Sequence, residues 1–273
     1  MKILFDRKLQ EKDDFKLPLE DRAFRYGDGL FETVLVKNSE VKLLDLHIDR
    51  LLKGLKFLQI NTSGLTEESI REDIHKLLDD NGIKNCARVR LTVWRKEGGL
   101  YTPSESGYHI LISVHLLKND YSLKGIIENV GLSEKVKNHH FELSGFKSLS
   151  SVHYVLAGLE KKNKEWDDII ILSDEGYISE GLHSNIFFLK NTFFLTPSLN
   201  TGCIEGVMRQ KLLNYLSTQD VRTGEVLFTV QDMMEAEQIF ICNAMGIRFL
   251  KNVNNKEFNT SVPEVLDAFI KSY

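Results

Sequence analysis

The spacing of apolar residues changes several times along this 273-residue chain, and these changes constrain its fold more than any other feature. Alternating apolar and polar residues predict β-strands, whereas apolar residues that recur every three or four positions predict amphipathic helices. Segments of both kinds follow one another from end to end, without an internal repeat or a low-complexity stretch. The sequence therefore predicts a mixed α/β (α+β) protein.

Residues 1–117 predict a smaller N-terminal α+β domain. Its elements are expected as strands at 2–6, 31–37, 41–44, 88–93 and 110–115, with helices at 46–58 and 67–80. The polar, turn-prone stretch 118–123 then predicts an interdomain linker.

Residues 124–273 predict a larger, β-rich C-terminal domain. A helix is expected at 148–164, with its apolar stripe formed by Leu149, Val152, Leu156 and Leu159. Further strands are expected at 168–173, 185–189, 193–196, 238–242 and 247–251, and further helices at 206–216 and 262–270.

Charge and composition exclude several classes of protein. The formal net charge is -4 and no Lys/Arg cluster exceeds a short pair, which argues against a nucleic-acid partner. No segment has the apolar length of a membrane span or of a signal peptide, so a cytoplasmic location is expected. The three cysteines are far apart and the eight histidines are scattered, so we expect no metal site.

The glycines of 27–29 begin like a dinucleotide fingerprint, but Glu32 stands where the third glycine is needed. We therefore interpret them as a tight turn near a site. The sequence has neither a Walker glycine loop nor a Gly-x-Ser-x-Gly elbow. NTPases and serine hydrolases are accordingly disfavoured.

Four polar features remain, each with an ordinary and a functional interpretation. Lys147 precedes the predicted helix start at Ser148, where the helix dipole would favour a neutral, nucleophilic amine, although most such lysines are merely solvated. Glu180 lies at a turn before an apolar strand, where it could hold a protonated heterocycle nitrogen or simply face solvent.

The other two features could bind an anion. Arg50 lies on the polar side of a predicted helix, either as a surface ion pair or as a fork-shaped phosphate ligand. The helix that begins at Gly206 offers free backbone N–H groups to a phosphate, although uncapped helix starts are common.

In order along the chain, these features resemble the fold-type IV pyridoxal-phosphate enzymes, also called class IV aminotransferases. The resemblance extends over nearly the whole length and is carried by the segments 24–32, 47–51, 147–149, 180–187 and 206–209. It implies a two-domain fold like that of the D-amino-acid aminotransferases, with pyridoxal 5'-phosphate as cofactor and a homodimeric assembly.

The resemblance also implies roles for individual residues. Lys147 would be the Schiff-base lysine and the proton-transfer base. The other expected cofactor-binding residues are Arg50 for the phosphate, Glu180 for the pyridine nitrogen, Asn185, Gly206, Val207, Met208, Asn243 and Ala244. The expected substrate contacts are Tyr26, Phe31, Asn243 and Arg95.

Within the family, segments 206–210 and 241–245 look like those of 4-amino-4-deoxychorismate lyases. Val152 replaces the tyrosine of branched-chain aminotransferases, and the loop at 99–103 lacks the Arg-x-His pair of D-amino-acid aminotransferases. The resemblance thus implies release of pyruvate from a small-molecule amine, aminodeoxychorismate, to give 4-aminobenzoate for folate biosynthesis. Because the arginine that some lyases carry near Gly98-Gly99 is missing here, Arg25 or Arg95 would have to bind the substrate carboxylates.

Two alternatives stay open at this point. One is a branched-chain or D-amino-acid aminotransferase that uses the same lysine. The other is a non-catalytic binding protein that keeps the fold, since a fold does not dictate an activity.

Overall fold

The computed structural model describes residues 1–118 and 122–273, which form two compact units. Unit 1 comprises Met1–Tyr121 and Phe146–Ser150, and unit 2 comprises Ser122–Gly145 and Ser151–Tyr273. Residues 119–121 of the predicted linker lie outside the described residues, so its bounds stay a prediction. The lysine segment 146–150 belongs to unit 1, whereas the sequence analysis assigned it to the larger domain.

Unit 1 is built on a six-stranded antiparallel sheet with the strand order β2-β1-β6-β5-β3-β4. Its elements are β1 (Lys2–Phe5), β2 (Lys8–Glu11), α1 (Arg22–Tyr26), β3 (Gly29–Lys37), β4 (Glu40–Val41), α2 (Leu44–Phe57), α3 (Glu67–Asp80), β5 (Cys86–Arg95) and β6 (Tyr108–Leu116). The strands predicted at 88–93 and 110–115 are present as β5 and β6, which pair antiparallel with Val89 opposite Val114.

The predicted strand at 41–44 is confirmed only at its first residue, Val41, which pairs with Val36 of β3. β4 ends at Val41, and α2 begins at Leu44. Leu43 adopts a left-handed conformation with φ 52°, which an extended strand does not allow, so the chain turns there into the helix.

The sheet of unit 1 has one buried and one more open face, as the alternation in β3 and β5 requires. Leu30, Val34, Val89 and Leu91 are buried. The intervening residues Phe31, Thr33, Arg88, Arg90 and Thr92 lie on the less buried face.

Unit 2 is built on a mixed nine-stranded sheet in which β7 runs parallel to both β8 and β14. Its elements are β7 (Lys124–Asn138), α4 (Val152–Asn163), β8 (Asp168–Ser173), β9 (Ile178–Gly181), β10 (Asn185–Lys190), β11 (Phe193–Pro197), α5 (Val207–Thr218), β12 (Thr223–Val226), α6 (Val230–Met234), β13 (Gln238–Asn243), β14 (Gly246–Val253), β15 (Lys256–Glu257) and α7 (Glu264–Ser272).

Both faces of this sheet are buried at its centre. In β10, Ile186 and Phe188 pack into one apolar cluster, while Phe187 packs into another with residues of α5 and α7. Strands buried on both faces read as continuous apolar runs, which is why β8, β10 and β13 were predictable.

Helix α4 differs from its prediction in two ways. It begins at Val152 rather than Ser148, and Val152, Leu156 and Leu159 of the predicted core stripe are more than half exposed. The buried residues of α4 are instead Ala157 and Glu160. The Glu160 carboxylate accepts hydrogen bonds from the Ser133 hydroxyl and the Glu134 N–H, both at 2.8 Å, beside the register shift of β7.

Within the described residues, no helix is both long and apolar enough to cross a membrane.

Candidate functional site

Lys147 lies in unit 1, in a short extended segment that pairs with the start of β3. Its carbonyl accepts the N–H of Phe31 at 2.9 Å, and the N–H of Leu149 donates to the carbonyl of Gly29 at 3.0 Å. These bonds fix the backbone on both sides of the lysine. Because α4 begins five residues later, the predicted helix start beside Lys147 is wrong, and the helix-dipole argument for its amine does not apply.

Two glycines allow this lysine segment to approach the rest of unit 1. Gly27 ends α1 in a left-handed conformation with φ 64°, and a Cβ there would lie 3.0 Å from the backbone nitrogen of Ser150. A Cβ on Gly54 of α2 would lie 2.9 Å from Cδ1 of Phe146. The glycine turn therefore packs against the lysine segment, as its interpretation as a turn near a site predicts.

Phe31 brings two cationic groups together on the open face of the sheet. The Arg90 Cζ atom lies 3.8 Å from the centre of the Phe31 ring, and the Lys147 Nζ atom lies 5.0 Å from it. Partial burial and the neighbouring charge of Arg88 lower the pKa of Arg90. Two cationic groups therefore contact the Phe31 ring, and cationic side chains of this kind attract an anion such as a substrate carboxylate.

Arg90 is not among the site residues predicted from the sequence. The signal was its alternation with Arg88 around the buried Val89, which places both arginines on one face of β5.

Arg50 is buried, so its interpretation as a surface ion pair is wrong. Its Nε atom donates to Glu32 Oε1 at 2.8 Å and an Nη atom donates to Glu32 Oε2 at 2.5 Å. Burial alone would raise the pKa of Glu32, but Arg50 and His47 outweigh it and lower that pKa to about 2. The guanidinium is thus held rigidly by a permanent carboxylate.

His47 completes this cluster through Nδ1, which lies 2.6 Å from Glu32 Oε2. Because an ionised carboxylate only accepts, Nδ1 carries the proton. Burial lowers the pKa of His47, despite Glu32, and the charges of Arg50 and Lys147 act in the same direction as burial. Within the described part of the chain, the buried Nε2 atom has no hydrogen-bond partner. Such an atom requires an explanation, and a bound polar ligand would supply one.

The Arg95 guanidinium is hydrogen-bonded to other groups of unit 1. Its guanidinium binds Asp28 through Nε at 2.9 Å and donates to the carbonyls of Leu58 at 2.6 Å and Gln59 at 3.3 Å. Asp28 also binds Arg22 at 2.8 Å. This buried network ties β5 to the glycine turn, and it leaves Arg95 less suited to a substrate carboxylate than Arg90.

Tyr26, the other substrate contact expected in this region, ends α1. Its ring centroid lies 5.5 Å from that of Tyr101 and 4.9 Å from the Arg22 Cζ atom. The structure therefore places it beside the Gly98–Tyr101 loop, and its contact with substrate stays a prediction.

In unit 2, Glu180 is buried, with only 2% of its surface exposed, so the solvent-facing interpretation is wrong. Its Oε1 atom accepts the Tyr154 hydroxyl at 2.6 Å and the Asn138 amide at 2.8 Å. Its Oε2 atom accepts the N–H of Ile204 at 3.2 Å. Three donors on one carboxylate favour its charged form, which is the form that can stabilise a protonated ring nitrogen.

Asn185 positions the loop that leads into α5. Its side-chain amide donates to the carbonyl of Ile204 at 2.6 Å, and a Cβ on Gly206 would lie only 1.8 Å from its Oδ1 atom. Glycine is therefore required at 206 for this approach. Asn185 thus shapes the loop whose backbone also contacts Glu180.

The first turn of α5 has the anion-binding geometry that the sequence predicts. Gly206 has no side chain with which to cap the helix, and the first intrahelical bond runs from the N–H of Gln210 to the carbonyl of Gly206. The N–H groups of Val207 and Met208 precede it and have no acceptor within the helix. Their binding of a phosphate stays a prediction.

Asn243 and Ala244 lie in the turn between β13 and β14. The Asn243 amide donates to the Ser184 hydroxyl at 2.9 Å, and its Oδ1 atom accepts the N–H of Met245 at 2.8 Å. Asn243 therefore anchors this turn beside residues 183–184, and its contact with a ligand stays a prediction. Among residues 1–118 and 122–273, no cluster of three or more His, Cys, Asp or Glu could hold a metal ion.

A model of the family described as amino-transferase class IV matches residues 29–253 of the chain. Two aminodeoxychorismate lyases are similar: that of Bacillus subtilis is 31% identical over 88% of this chain and 81% of its own length, and that of Vibrio harveyi is 27% identical over 90% and 91%. The D-alanine aminotransferase of Listeria monocytogenes is 25% identical over 88% and 83%.

Solved structures show the same fold. The branched-chain aminotransferase of Thermoproteus uzoniensis superposes with a TM-score of 0.88 at 20% identity, covering 100% of this chain and 93% of that one. The T.th. branched-chain amino acid aminotransferase, solved with pyridoxamine 5'-phosphate, gives a TM-score of 0.85 at 16% identity, covering 99% and 92%.

The chain therefore belongs to the class IV aminotransferase family. This membership confirms the predicted fold class and the predicted cofactor of the family, pyridoxal 5'-phosphate. It does not separate a lyase from an aminotransferase, because relatives of both kinds are similar to this chain.

The residues present within each unit fit this cofactor. Unit 1 contains a lysine amine that could condense with an aldehyde, the buried Arg50 that could bind a phosphate, and, within the part of the chain that the structure describes, the unpartnered Nε2 atom of His47. Unit 2 by itself contains the buried carboxylate of Glu180, which could bind a protonated ring nitrogen, and the uncapped start of α5, which could bind a phosphate.

Proposed function

We propose that this chain is a pyridoxal-phosphate-dependent lyase that converts 4-amino-4-deoxychorismate into 4-aminobenzoate and pyruvate. The observation that carries the proposal is the placement of the Lys147 amine and the Arg90 guanidinium over one ring, that of Phe31. A lysine amine and a cation that can hold an anionic substrate thus both contact the side chain of Phe31.

Charge on β5 favours a substrate with two carboxylates. Arg88 and Arg90 are two residues apart, so both side chains project from the same face of the strand. Aminodeoxychorismate carries one carboxylate on its ring and one on its enolpyruvyl group. Two guanidinium groups match that charge, and each can bind a carboxylate through paired N–H donors.

We assign the cofactor contacts to Lys147 as the covalent attachment point, to Arg50 and the N–H groups of Val207 and Met208 for the phosphate, and to Glu180 for the ring nitrogen. When bound, pyridoxal 5'-phosphate supplies an electron sink for the carbon that bears the substrate amine. Glu32 keeps the guanidinium of Arg50 in place, and Asn185 holds the loop before α5.

The chain itself supplies proton transfer and orientation. Once the substrate amine has displaced it from the cofactor, the Lys147 amine removes the proton from the amine-bearing ring carbon, and Arg90 and Arg88 hold the carboxylates so that this proton faces the amine. The ring becomes aromatic as the C–O bond to the enolpyruvyl group breaks. Enolpyruvate takes up one proton to become pyruvate, which equals the one proton that Lys147 removed from the ring carbon.

The test is to supply the purified protein with pyridoxal 5'-phosphate and aminodeoxychorismate and to measure pyruvate and 4-aminobenzoate. Borohydride reduction should attach the cofactor to the peptide that contains Lys147, as mass spectrometry would show. Lys147→Ala should lose both the attachment and pyruvate release, whereas the control Lys53→Ala, an exposed lysine of α2, should keep both. Pyruvate release by Lys147→Ala at the wild-type rate would refute the proposal.

A class IV aminotransferase is the second candidate, because the D-alanine enzyme of Listeria monocytogenes aligns over most of the chain. The same lysine would then move a proton between substrate and cofactor carbons. A panel of branched-chain and D-amino acids separates the two: an aminotransferase converts the bound cofactor to its amine form, whereas a lyase leaves its spectrum unchanged. A protein that takes up no cofactor would instead support a non-catalytic role.

A further inference from the structure

Tyr154, a residue that no sequence motif predicts to be functional, donates a short hydrogen bond to Glu180. Its hydroxyl lies 2.6 Å from Oε1, an oxygen that also accepts the Asn138 amide at 2.8 Å. Hydrogen bonds to an ionised group are short and about twice as strong as neutral ones. The tyrosine hydroxyl is therefore a substantial part of what stabilises the charge of this carboxylate.

The fold fixes the position of this hydroxyl. Tyr154 lies in the first turn of α4, and its ring packs against an apolar cluster formed by Val136, Ala157, Ile169, Ile171 and Leu182. Burial, and next the charge of Glu180, raise the pKa of Tyr154 well above its usual range. The tyrosine consequently stays neutral at physiological pH, and its hydroxyl donates a hydrogen bond to the carboxylate.

Asn138 and the loop before α5 hold the carboxylate from the other sides. The Asn138 amide donates to the Ser179 hydroxyl at 3.0 Å as well as to Glu180, and the N–H of Ile204 donates to Oε2. These bonds define the orientation of the carboxylate, and the partly buried Tyr154 adds a short hydrogen bond to it.

We infer that Tyr154 is a positioning residue that holds Glu180 in its anionic form and thereby keeps the ring nitrogen of the cofactor protonated. The inference rests on the proposed role of Glu180. Without the tyrosine hydroxyl, the carboxylate would bind a proton more strongly. The proton shared with the ring nitrogen would then shift toward Glu180, and the ring would withdraw electrons less effectively.

The test uses Tyr154→Phe, which removes the hydroxyl and keeps the ring, with the holoenzyme reconstituted from pyridoxal 5'-phosphate labelled with 15N in the ring. The 15N resonance should move from the pyridinium toward the neutral pyridine position, and kcat should fall about tenfold while KM changes by less than about twofold. The control is Tyr215→Phe, because Tyr215 lies in α5 and its ring packs against Phe269 of α7. Its resonance and kcat should equal those of the wild type.

A double-mutant cycle with Glu180→Gln shows whether Tyr154 acts through the carboxylate. In the Glu180→Gln background, Tyr154→Phe should produce no further change in the 15N resonance. A tyrosine that only anchors α4 would lower the melting temperature in both backgrounds and leave the resonance unchanged.

The outcomes also separate this inference from the proposed function. A wild type that binds the cofactor at Lys147, together with a Tyr154→Phe resonance that does not move, would overturn the inference alone. A wild type that takes up no cofactor would overturn both. Should Tyr154→Phe fold poorly, Tyr154→Leu provides a second variant: it also lacks the hydroxyl and keeps an apolar side chain against the cluster, so the resonance should shift in the same direction, and an unmoved resonance would again overturn the inference.

Discussion

At the residue scale, the buried charges of unit 1 are arranged around single carboxylates. Glu32 holds Arg50 and His47, and Asp28 holds Arg22 and Arg95. A buried ion costs several kcal/mol of desolvation, so each carboxylate is retained only because its partners are close and well oriented. Removal of one partner of a buried pair should accordingly lower the free energy of unfolding more than removal of a surface ion pair.

Glu32→Gln tests this directly. We expect the free energy of unfolding to fall by about 3–5 kcal/mol at neutral pH, because Arg50 is left buried without its counter-charge. The control is Glu40→Gln, whose exposed carboxylate pairs with Lys42 and should contribute less than about 1 kcal/mol. Urea unfolding of both variants measures the difference, and equal losses would contradict the buried-pair argument.

The pH dependence of stability gives the same argument a second form. The pKa of Glu32 is about 2 in the folded protein and about 4.3 in an unfolded chain. Its contribution is thus fully present above the unfolded value and is lost as the pH falls from about 4.3 through about 2. Glu32→Gln should remove this part of the acid dependence.

The contribution of His109 to stability has the opposite pH dependence to that of Glu32. Burial opposes protonation, but hydrogen bonds to Asp6 at 2.8 Å and Glu97 at 3.1 Å outweigh it and raise the pKa of His109. Its contribution is fully present below the unfolded value of about 6.5 and is lost as the pH rises through the higher folded value.

We therefore expect the difference in unfolding free energy between the wild type and His109→Gln to be larger at about pH 6 than at about pH 9, on either side of this transition. Urea unfolding at the two pH values measures it. His75→Gln, a histidine of α3 outside this cluster, is the control and should show no such difference. A His109→Gln effect that is independent of pH would contradict the assignment.

At the element scale, close approaches of the backbone decide where the functional groups lie. The lysine segment pairs with β3, and the start of α5 is set by the contact between Gly206 and Asn185. Helix propensity and apolar spacing carry no information about either approach, because both depend on residues distant in sequence.

Gly206→Ala should displace the start of α5, because the new Cβ would lie 1.8 Å from Asn185 Oδ1. We expect the affinity for pyridoxal 5'-phosphate to fall at least about tenfold, since the N–H groups of Val207 and Met208 would move from the phosphate. The control is Gly158→Ala in α4, where the Cβ would meet Leu182 at an ordinary 3.8 Å and the helix should gain up to about 1 kcal/mol. Fluorescence titration with the cofactor measures both affinities, and an unchanged Kd for Gly206→Ala would refute the role of this turn.

At the scale of the whole molecule, the resemblance implies a homodimer, and α4 exposes an apolar face that water disfavours. Val152, Val155, Leu156 and Leu159 are each more than half exposed. We expect a second copy of the chain to cover this face. Sedimentation velocity should then give twice the mass of one chain.

Leu156→Asp should weaken that association by at least about tenfold in Kd, because a charge would be buried in an apolar contact. Leu19→Asp is the control, since Leu19 is 75% exposed and lies outside α4. A wild type that sediments as a monomer, or a Leu156→Asp variant that dimerises like the wild type, would contradict this assignment.

The sequence by itself determined the elements whose apolar pattern is strong and local. Helix α3 and strand β8 have the predicted bounds, because a regular apolar spacing leaves few alternatives. Strand β7 was not predicted because its 15 residues are interrupted by a register shift between Leu132 and Lys137. At this shift the backbone N–H of Glu134 donates to the buried carboxylate of Glu160 and not to a neighbouring strand. The start of α4 was misplaced because residues 147–149 pair with β3 instead of continuing a helix.

The candidate site can be divided in the same way, into residues that the sequence predicted and pairings that only the structure shows. Motifs in the sequence predicted roles for Lys147, Glu180, Arg50 and the start of α5, because a family resemblance is carried by residue types at fixed positions. Only the tertiary structure decided which polar side chains pair with each other: Glu32 with Arg50, Arg95 with Asp28, and Tyr154 with Glu180. Burial and pairing depend on residues far apart in the chain, and the pKa shifts that follow from them have no signature in local sequence.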